Sequence, residues 1–146
     1  MGNVNARLDK GYRTTIKVGD HVWYADEPED NGGTNAGPTP TDMAIGALGA
    51  CVAITLRLYA ERKEWPLEAV EIDVDYERLR AKDYEAYDGP ENFVHEIRKA
   101  IKLVGPLSDE QRQRLMEIAG KCPVHRLIAL PSFFKETLVE DDETPA

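Results

Sequence analysis

Two segments in the middle of the chain show the alternation that predicts β-strands. Residues 70–77 alternate apolar with acidic positions, a period of two that is typical of a strand with one buried face. The second segment runs from Phe93 to Val104 and carries Arg98, Lys99 and Lys102. Opposed acidic and basic side chains favour antiparallel pairing of these strands, and we interpret the charges as a solvated face.

A long apolar segment between residues 43 and 58 predicts the central helix. Thr39 supplies a hydroxyl N-cap and Pro40 suits the first helical position. The helix is expected to end at Trp65-Pro66, because proline disfavours helix at the residue before it. The segment is apolar nearly all round, which indicates a helix surrounded by protein. Its many glycines and alanines would let another backbone approach closely.

Shorter elements are predicted on either side of this helix and strand pair. They are a hairpin of residues 12–17 and 21–24, a breaker-rich loop over 26–40, a helix capped by Ser108 and closed by Gly120, a short helix after Cys122, and a last strand over 133–139. We therefore predict an α/β (α+β) fold in one domain over residues 1–146. Residues 1–40 would form N-terminal strands and an acidic loop, and residues 140–146 an acidic tail.

Composition narrows the class of protein. The 146 residues are 42% apolar, enough for one self-sufficient domain. The formal charge of −9 argues against nucleic acid or an anionic membrane as a partner. The longest uncharged run, Met43–Leu56, is shorter than the roughly 20 residues of a membrane span. The first residues lack the apolar core of a signal peptide, so we expect a cytoplasmic protein.

Cys122 is one candidate for chemistry. It precedes Pro123, so a helix beginning there would expose its sulfur to free amides and lower its pKa. The alternative is a small buried cap residue. His125 would lie on the same side of the turn, in a position to activate Cys122 or to share a metal with it. A structural zinc site needs four ligands, and two cysteines and three histidines make us expect no metal and no cofactor.

Cys51 lies in the middle of the predicted central helix, far from either helix end. By itself it suggests a core cysteine. A fold that joins it to Cys122 would make a thiol pair suited to redox cycling, although the spacing alone does not establish contact.

Several blocks of sequence together resemble the OsmC/Ohr family, the osmotically inducible and organic hydroperoxide resistance proteins. These blocks are Gly37–Asp42, Ala47–Cys51, Thr55–Ala60 and Gly120–His125. The resemblance extends from about Asp26 to Leu138. It implies an intertwined homodimer in which antiparallel sheets wrap around two central helices.

The resemblance also implies a thiol-dependent peroxidase that reduces organic hydroperoxides. By position, Cys51 would attack the peroxide and become a sulfenic acid, and Cys122 would resolve it as a disulfide. A thiol reductant of unknown identity would then restore the dithiol. No cofactor is implied.

In such peroxidases an arginine stabilises the attacking thiolate and a carboxylate holds the arginine. Here Arg13 is the candidate arginine and Asp42 its candidate carboxylate. The alternatives are a surface charge for Arg13 and a helix cap for Asp42. The acidic residues before the helix would raise a nearby thiol's pKa, which favours a rival hypothesis: a non-catalytic OsmC-like dimer that binds a small apolar ligand at its interface and uses its cysteines for packing.

Overall fold

The computed structural model describes residues 2–141 and shows a mixed α+β fold, as predicted. In the described residues there are two antiparallel sheets and three α-helices. The elements are β1 (Asn5–Leu8), β2 (Thr14–Val18), β3 (His21–Ala25), α1 (Pro40–Arg62), β4 (Ala69–Arg80), β5 (Phe93–Val104), α2 (Asp109–Ala119) and α3 (Pro123–Ala129), with short 3-10 turns at Glu29–Asn31 and Ala81–Asp83.

The described chain divides into two compact units. The N-terminal unit contains the residues up to Ala44 together with those from Pro131 onward, and the central unit spans Ile45–Leu130. The single domain expected over residues 1–146 stays a prediction. The strand expected over 133–139 is wrong, because this segment is irregular. Of the expected acidic tail, residues 142–146 lie outside the described part of the chain.

The N-terminal unit contains a three-stranded antiparallel sheet in the order β1-β2-β3. Strands β2 and β3 form the predicted hairpin, with Thr14 opposite Ala25 and Val18 opposite His21. Gly19 in the connecting turn has a φ of +53°, which glycine adopts without steric cost. Strand β1 was not predicted. Polar and apolar residues alternate along its four positions, but all four are exposed, and so short a segment is a weak signal.

The loop after β3 is organised by the buried carboxylate of Asp26. Its oxygens accept hydrogen bonds from the Thr34 hydroxyl at 2.6 Å and from the backbone N–H groups of Glu27, Thr34 and Ala36 at 2.8, 3.2 and 3.1 Å. These donors, the Thr34 hydroxyl first, lower the pKa of Asp26 to about 2. The loop prediction is thus confirmed, and one of its acids is a structural anchor.

Helix α1 begins where the sequence predicts. The Thr39 hydroxyl oxygen accepts a hydrogen bond from the N–H of Asp42 at 3.2 Å. One stripe of the helix is fully buried, consisting of Leu48, Val52, Leu56 and Ala60. Ile54 and Leu58 on another face are 60% and 56% exposed. Within the described residues of one chain only one side of the helix meets the core, so the expectation of a helix surrounded by protein stays a prediction.

By length and composition, α1 is also apolar enough to cross a membrane, with a mean hydropathy of 1.7 over its most apolar stretch. Helix α1 extends beyond the uncharged run Met43–Leu56 at both ends and includes charged residues there. The whole helix is therefore long enough to span a membrane, whereas the uncharged run alone is not. Core helices pass the same test, and α1 buries Val52 and Leu56 completely. Core packing therefore explains the apolar residues on the buried stripe, whereas Ile54 and Leu58 lie outside it.

The central unit is built on the predicted hairpin of β4 and β5. Twelve residue pairs run from Ala69–Val104 to Arg80–Phe93. On the outer face Arg98 lies 2.8 Å from Asp75, and Lys102 lies 3.6 Å from Glu71, as the charge pattern predicts. The inner face packs with α1, α2 and α3 around a core of Leu48, Val52, Leu56, Ala60, Leu67, Leu107, Leu115, Ile118, Ala119 and Cys122.

The capping box of α2 is present as predicted. The Ser108 hydroxyl oxygen accepts from the N–H of Gln111 at 3.1 Å, and the Gln111 side chain accepts from the N–H of Ser108 at 3.0 Å. This cap orients α2 so that Leu115 and Ile118 face the core. The chain then turns at Gly120 and enters α3 through Cys122 and Pro123.

Candidate thiol site

The fold brings Cys51 and Cys122 together. Both belong to the central unit and both are free thiols. Cys51 lies on α1 beside the buried stripe and is half-buried, whereas Cys122 belongs to the core with 0% of its surface exposed. Cys51 packs against the core cluster that contains Cys122, and its thiol acts on the pKa of Cys122. Two cysteines that are distant in sequence therefore form one thiol pair.

Cys122 is the N-cap of α3. Its backbone is extended and its sulfur accepts a hydrogen bond from the N–H of His125 at 3.2 Å. Pro123 occupies the first turn, where a missing N–H costs nothing. The alternative interpretation of Cys122 as a buried cap residue is confirmed.

The expected low pKa of Cys122 is wrong. Burial raises the pKa of this thiol, and the adjoining Cys51 thiol raises it further. The N–H of His125 and the charge of Lys99 both act in the opposite direction, but they do not outweigh burial. The helix-end argument failed because it left out desolvation, which depends on the core around the sulfur.

Lys99 is half-buried on the inner side of β5, so the expectation that it belongs to a solvated face is wrong. On β5, residues 97, 101 and 103 pack against the core, and Lys99 shares their side of the strand. Its Nζ lies 3.2 Å from Nδ1 of His125. The sequence already indicates this orientation. Successive side chains of a strand point to opposite faces, so Lys99 lies on the other face of β5 from Arg98 and Lys102.

A cavity of about 250 Å³ adjoins the pair of Lys99 and His125. It is lined by Leu48, His95, Ile97, Lys99, His125, Ile128 and Ala129. The lining combines apolar walls with one ammonium and two imidazoles. Among the described residues, no cluster of three or more His, Cys, Asp or Glu side chains is arranged to hold a metal ion.

Arg13 and Asp42 belong to the N-terminal unit, and each has a local partner there. The exposed guanidinium of Arg13 lies 5.0 Å from the centre of the Tyr24 ring. The carboxylate of Asp42 accepts a hydrogen bond from the Thr39 hydroxyl at 2.8 Å. Among the described residues no ion pair joins Arg13 and Asp42, and Asp42 serves the helix cap. The expected pairing stays a prediction. A role for either residue beside Cys51 stays a prediction.

The fold and this site define a mixed α+β protein with two neighbouring thiols, one buried and one half-buried. The sequence pattern of the OsmC-like protein family matches residues 32–136, well over half of the chain. The protein therefore belongs to the OsmC-like family, as the sequence blocks predicted. No curated protein matches the chain.

Several solved structures share this fold. An OsmC-like protein from Mycoplasma pneumoniae is 19% identical with a TM-score of 0.69, covering 88% of this chain and 86% of that one. An organic hydroperoxide resistance protein from Legionella pneumophila is 17% identical with a TM-score of 0.62, covering 87% and 89%. The organic hydroperoxide resistance protein OhrB of Bacillus subtilis is 20% identical with a TM-score of 0.58, covering 88% and 90%.

Proposed function

We propose that this protein is a thiol-dependent peroxidase that reduces organic hydroperoxides through Cys51 and Cys122. The observation that carries the proposal is that Cys51 packs against the core cluster containing Cys122 and that its thiol acts on Cys122, in a chain of the OsmC-like family. Proteins named for organic hydroperoxide resistance share its fold. A contact between thiols is the geometry that disulfide formation requires.

Accessibility supports Cys51 as the attacking residue. Cys51 is half-buried, whereas Cys122 exposes none of its surface and its pKa is raised by burial. A peroxide can reach only a sulfur with an exposed face, and the reactive form is the thiolate. Cys122 is suited to the second step, since a resolving thiol needs access to its partner sulfur alone.

In the first step the Cys51 thiolate attacks the terminal oxygen of the hydroperoxide. The O–O bond breaks, the alkoxide leaves with the electron pair and takes up a proton to become an alcohol, and Cys51 becomes a sulfenic acid. The Cys122 sulfur then attacks the Cys51 sulfur. The S–O bond breaks, and the leaving hydroxide combines with the Cys122 proton as water. Two external thiols reduce the resulting disulfide and become a disulfide themselves.

We also propose that the protein acts as a homodimer through the exposed face of α1. Ile54 and Leu58 are large apolar side chains with most of their surface exposed. They line a shallow cavity of about 300 Å³ together with Ala53, Arg57 and Val70. Light scattering should give twice the chain mass for the native protein, and Leu58→Glu should reduce it to one chain.

The test of the peroxidase uses cumene hydroperoxide with dithiothreitol as reductant. The native protein should turn over and, without reductant, lose both free thiols and form an intrachain disulfide. Cys51→Ser should abolish turnover. Cys122→Ser, the matched variant, should react once and stop at a sulfenic acid that dimedone traps. Full turnover by Cys51→Ser, or two unreacted thiols in the native protein, would overturn the proposal.

A second candidate function is the binding of a small apolar ligand without catalysis. An apolar cavity of about 430 Å³ within the N-terminal unit favours it, lined by Val4, Ala6, Thr14, Ile16, Trp23, Ala25, Pro40, Met43 and Ala44. An apolar environment-sensitive dye should then increase in fluorescence with the native protein, and Trp23→Ala should weaken the effect. Unchanged turnover in Trp23→Ala would separate this binding from the thiol chemistry.

A further inference from the structure

Lys99 is an inward-facing lysine on a strand whose inner face is otherwise mostly apolar. Its neighbours on that face, Ile97 and Ile101, pack against the core, and its partner across the hairpin is Val74. A charged group at such a position loses part of its hydration. The ammonium of Lys99 therefore needs compensation from groups at the end of its side chain.

One compensating partner is the imidazole of His125, at 3.2 Å from Nζ to Nδ1. An ammonium has three donors and no lone pair, so in this contact the ammonium of Lys99 can only donate and Nδ1 can only accept. The backbone N–H of the same residue donates to the sulfur of Cys122 at 3.2 Å. His125 thus connects Lys99 with the thiol pair through its ring on one side and its main chain on the other.

The charge of Lys99 is not neutralised by a carboxylate in the described chain. Arg98 and Lys102, which flank it on the outer face, both form ion pairs with acids of β4. No such pair involves Lys99 among the described residues. Its positive charge acts on Cys122 and opposes the effect of burial on that thiol.

We propose that Lys99, held in place by His125, is the cation that stabilises the thiolate of the Cys51–Cys122 pair. Lys99 would thus stabilise the thiolate, the role that the family resemblance implies for Arg13. Lys99 and His125 are positioning residues, since they act on the sulfurs from beside them. The importance of Lys99 for peroxide reduction rests on the proposed function, but its effect on the ionisation of the thiols does not.

In the peroxidase cycle this charge would matter at the resolving step. It would favour the Cys122 thiolate that attacks the sulfur of the Cys51 sulfenic acid. The S–O bond breaks, and the departing hydroxide combines with the proton that Cys122 released to give water. A low-polarity core strengthens such a charge interaction relative to water.

The ionisation of the thiols must be distinguished from that of other titratable groups on the surrounding elements. They are His95 on β5, His125 on α3, Cys51 on α1, Cys122 before α3, and Tyr76 on β4, whose ring lies 6.4 Å from that of His95. The inner positions of β4 opposite Lys99 are apolar. Following the thiolate directly, rather than activity, distinguishes the thiols from the histidines.

The experiment measures thiolate absorbance in the ultraviolet against pH, together with iodoacetamide alkylation of each cysteine by peptide mass spectrometry. Lys99→Gln should raise the apparent pKa of the thiol pair by about 1 and lower the alkylation rate near neutral pH about tenfold. Lys99→Arg should keep the native titration, because it keeps the charge. Lys102→Gln removes the same charge from the outer face of the same strand and should change nothing.

Two further variants secure the result. Lys99→Met keeps an apolar stem on the strand and should reproduce the effect of Lys99→Gln if the glutamine variant folds poorly. His125→Ala should give part of the same increase, because it releases the ammonium. A native thiol titration in folded Lys99→Gln or Lys99→Met would overturn the inference. If the titration depends on Lys99 but the native protein consumes no hydroperoxide, the inference stands and the proposed function fails.

Discussion

The backbone N–H of His125 donates a hydrogen bond to the sulfur of Cys122 at 3.2 Å. This contact closes the first turn of α3 and fixes a buried sulfur beside Cys51. It also places the His125 ring against Lys99. One short turn therefore joins helix capping, core packing and the electrostatics of the thiol pair.

Cys51→Ala should lower the pKa of Cys122 relative to the native protein. Burial is the largest cause of the raised pKa and remains in the variant, whereas the further increase due to the Cys51 thiol is removed. The pKa of Cys122 should therefore still lie above its ordinary value. The pH dependence of Cys122 alkylation under native conditions measures this. In denaturant the two proteins should titrate alike, and identical native titrations would mean that the thiols do not interact.

The stability of the N-terminal unit should fall with acid through Asp26. Its pKa is lowered to about 2 in the folded protein, from an ordinary value of 3.8. The ionised carboxylate thus adds stability above the unfolded pKa, and this contribution is lost as the pH falls from about 4 towards 2. Denaturant unfolding across this range should show the loss.

Asp26→Asn should be less stable than the native protein at neutral pH and should show a smaller acid dependence. Asp30→Asn is the matched control, because Asp30 is an exposed acid of the same loop. If Asp26→Asn kept the native acid dependence, the bonds from Thr34 and Ala36 would not be the cause.

Leu115→Ala should destabilise the protein by about 2–5 kcal/mol, because Leu115 is 0% exposed in the core and its truncation leaves a cavity. Met116→Ala on the same helix removes a side chain that is 48% exposed. It should cost no more than about 0.5 kcal/mol. Urea unfolding of both variants checks the order, and equal losses would contradict the assigned orientation of α2.

Gly105→Ala should destabilise the protein by more than about 1 kcal/mol. Gly105 has a φ of +136°, and an added Cβ would lie 2.1 Å from the carbonyl oxygen of Pro66. Gly120→Ala serves as the control, since Gly120 has a φ of −82° and its nearest atom would lie at 3.8 Å. Thermal unfolding should show a clear loss for the first variant only.

Much of the fold could be predicted because its signals are local. The period of two places β4 and β5, the hydroxyl of Thr39 marks the start of α1, and the sequence around Ser108 encodes the capping box. Strand β1 and the absence of a strand over 133–139 could not be predicted. A strand forms only where a neighbouring backbone pairs with it, and the sequence of one short segment does not specify that partner.

The sequence by itself determined the family blocks, the two cysteines and the alternation that turns Lys99 away from Arg98. Only the tertiary structure decided that Cys51 meets Cys122 and that burial raises the pKa of Cys122. It also decided that His125 holds Lys99 and that Asp42 serves a cap. The physical reason is separation along the chain. Helix caps and hydrophobic periodicity depend on a few neighbouring residues, whereas desolvation and charge interactions depend on segments that are far apart in sequence and meet only in the folded protein.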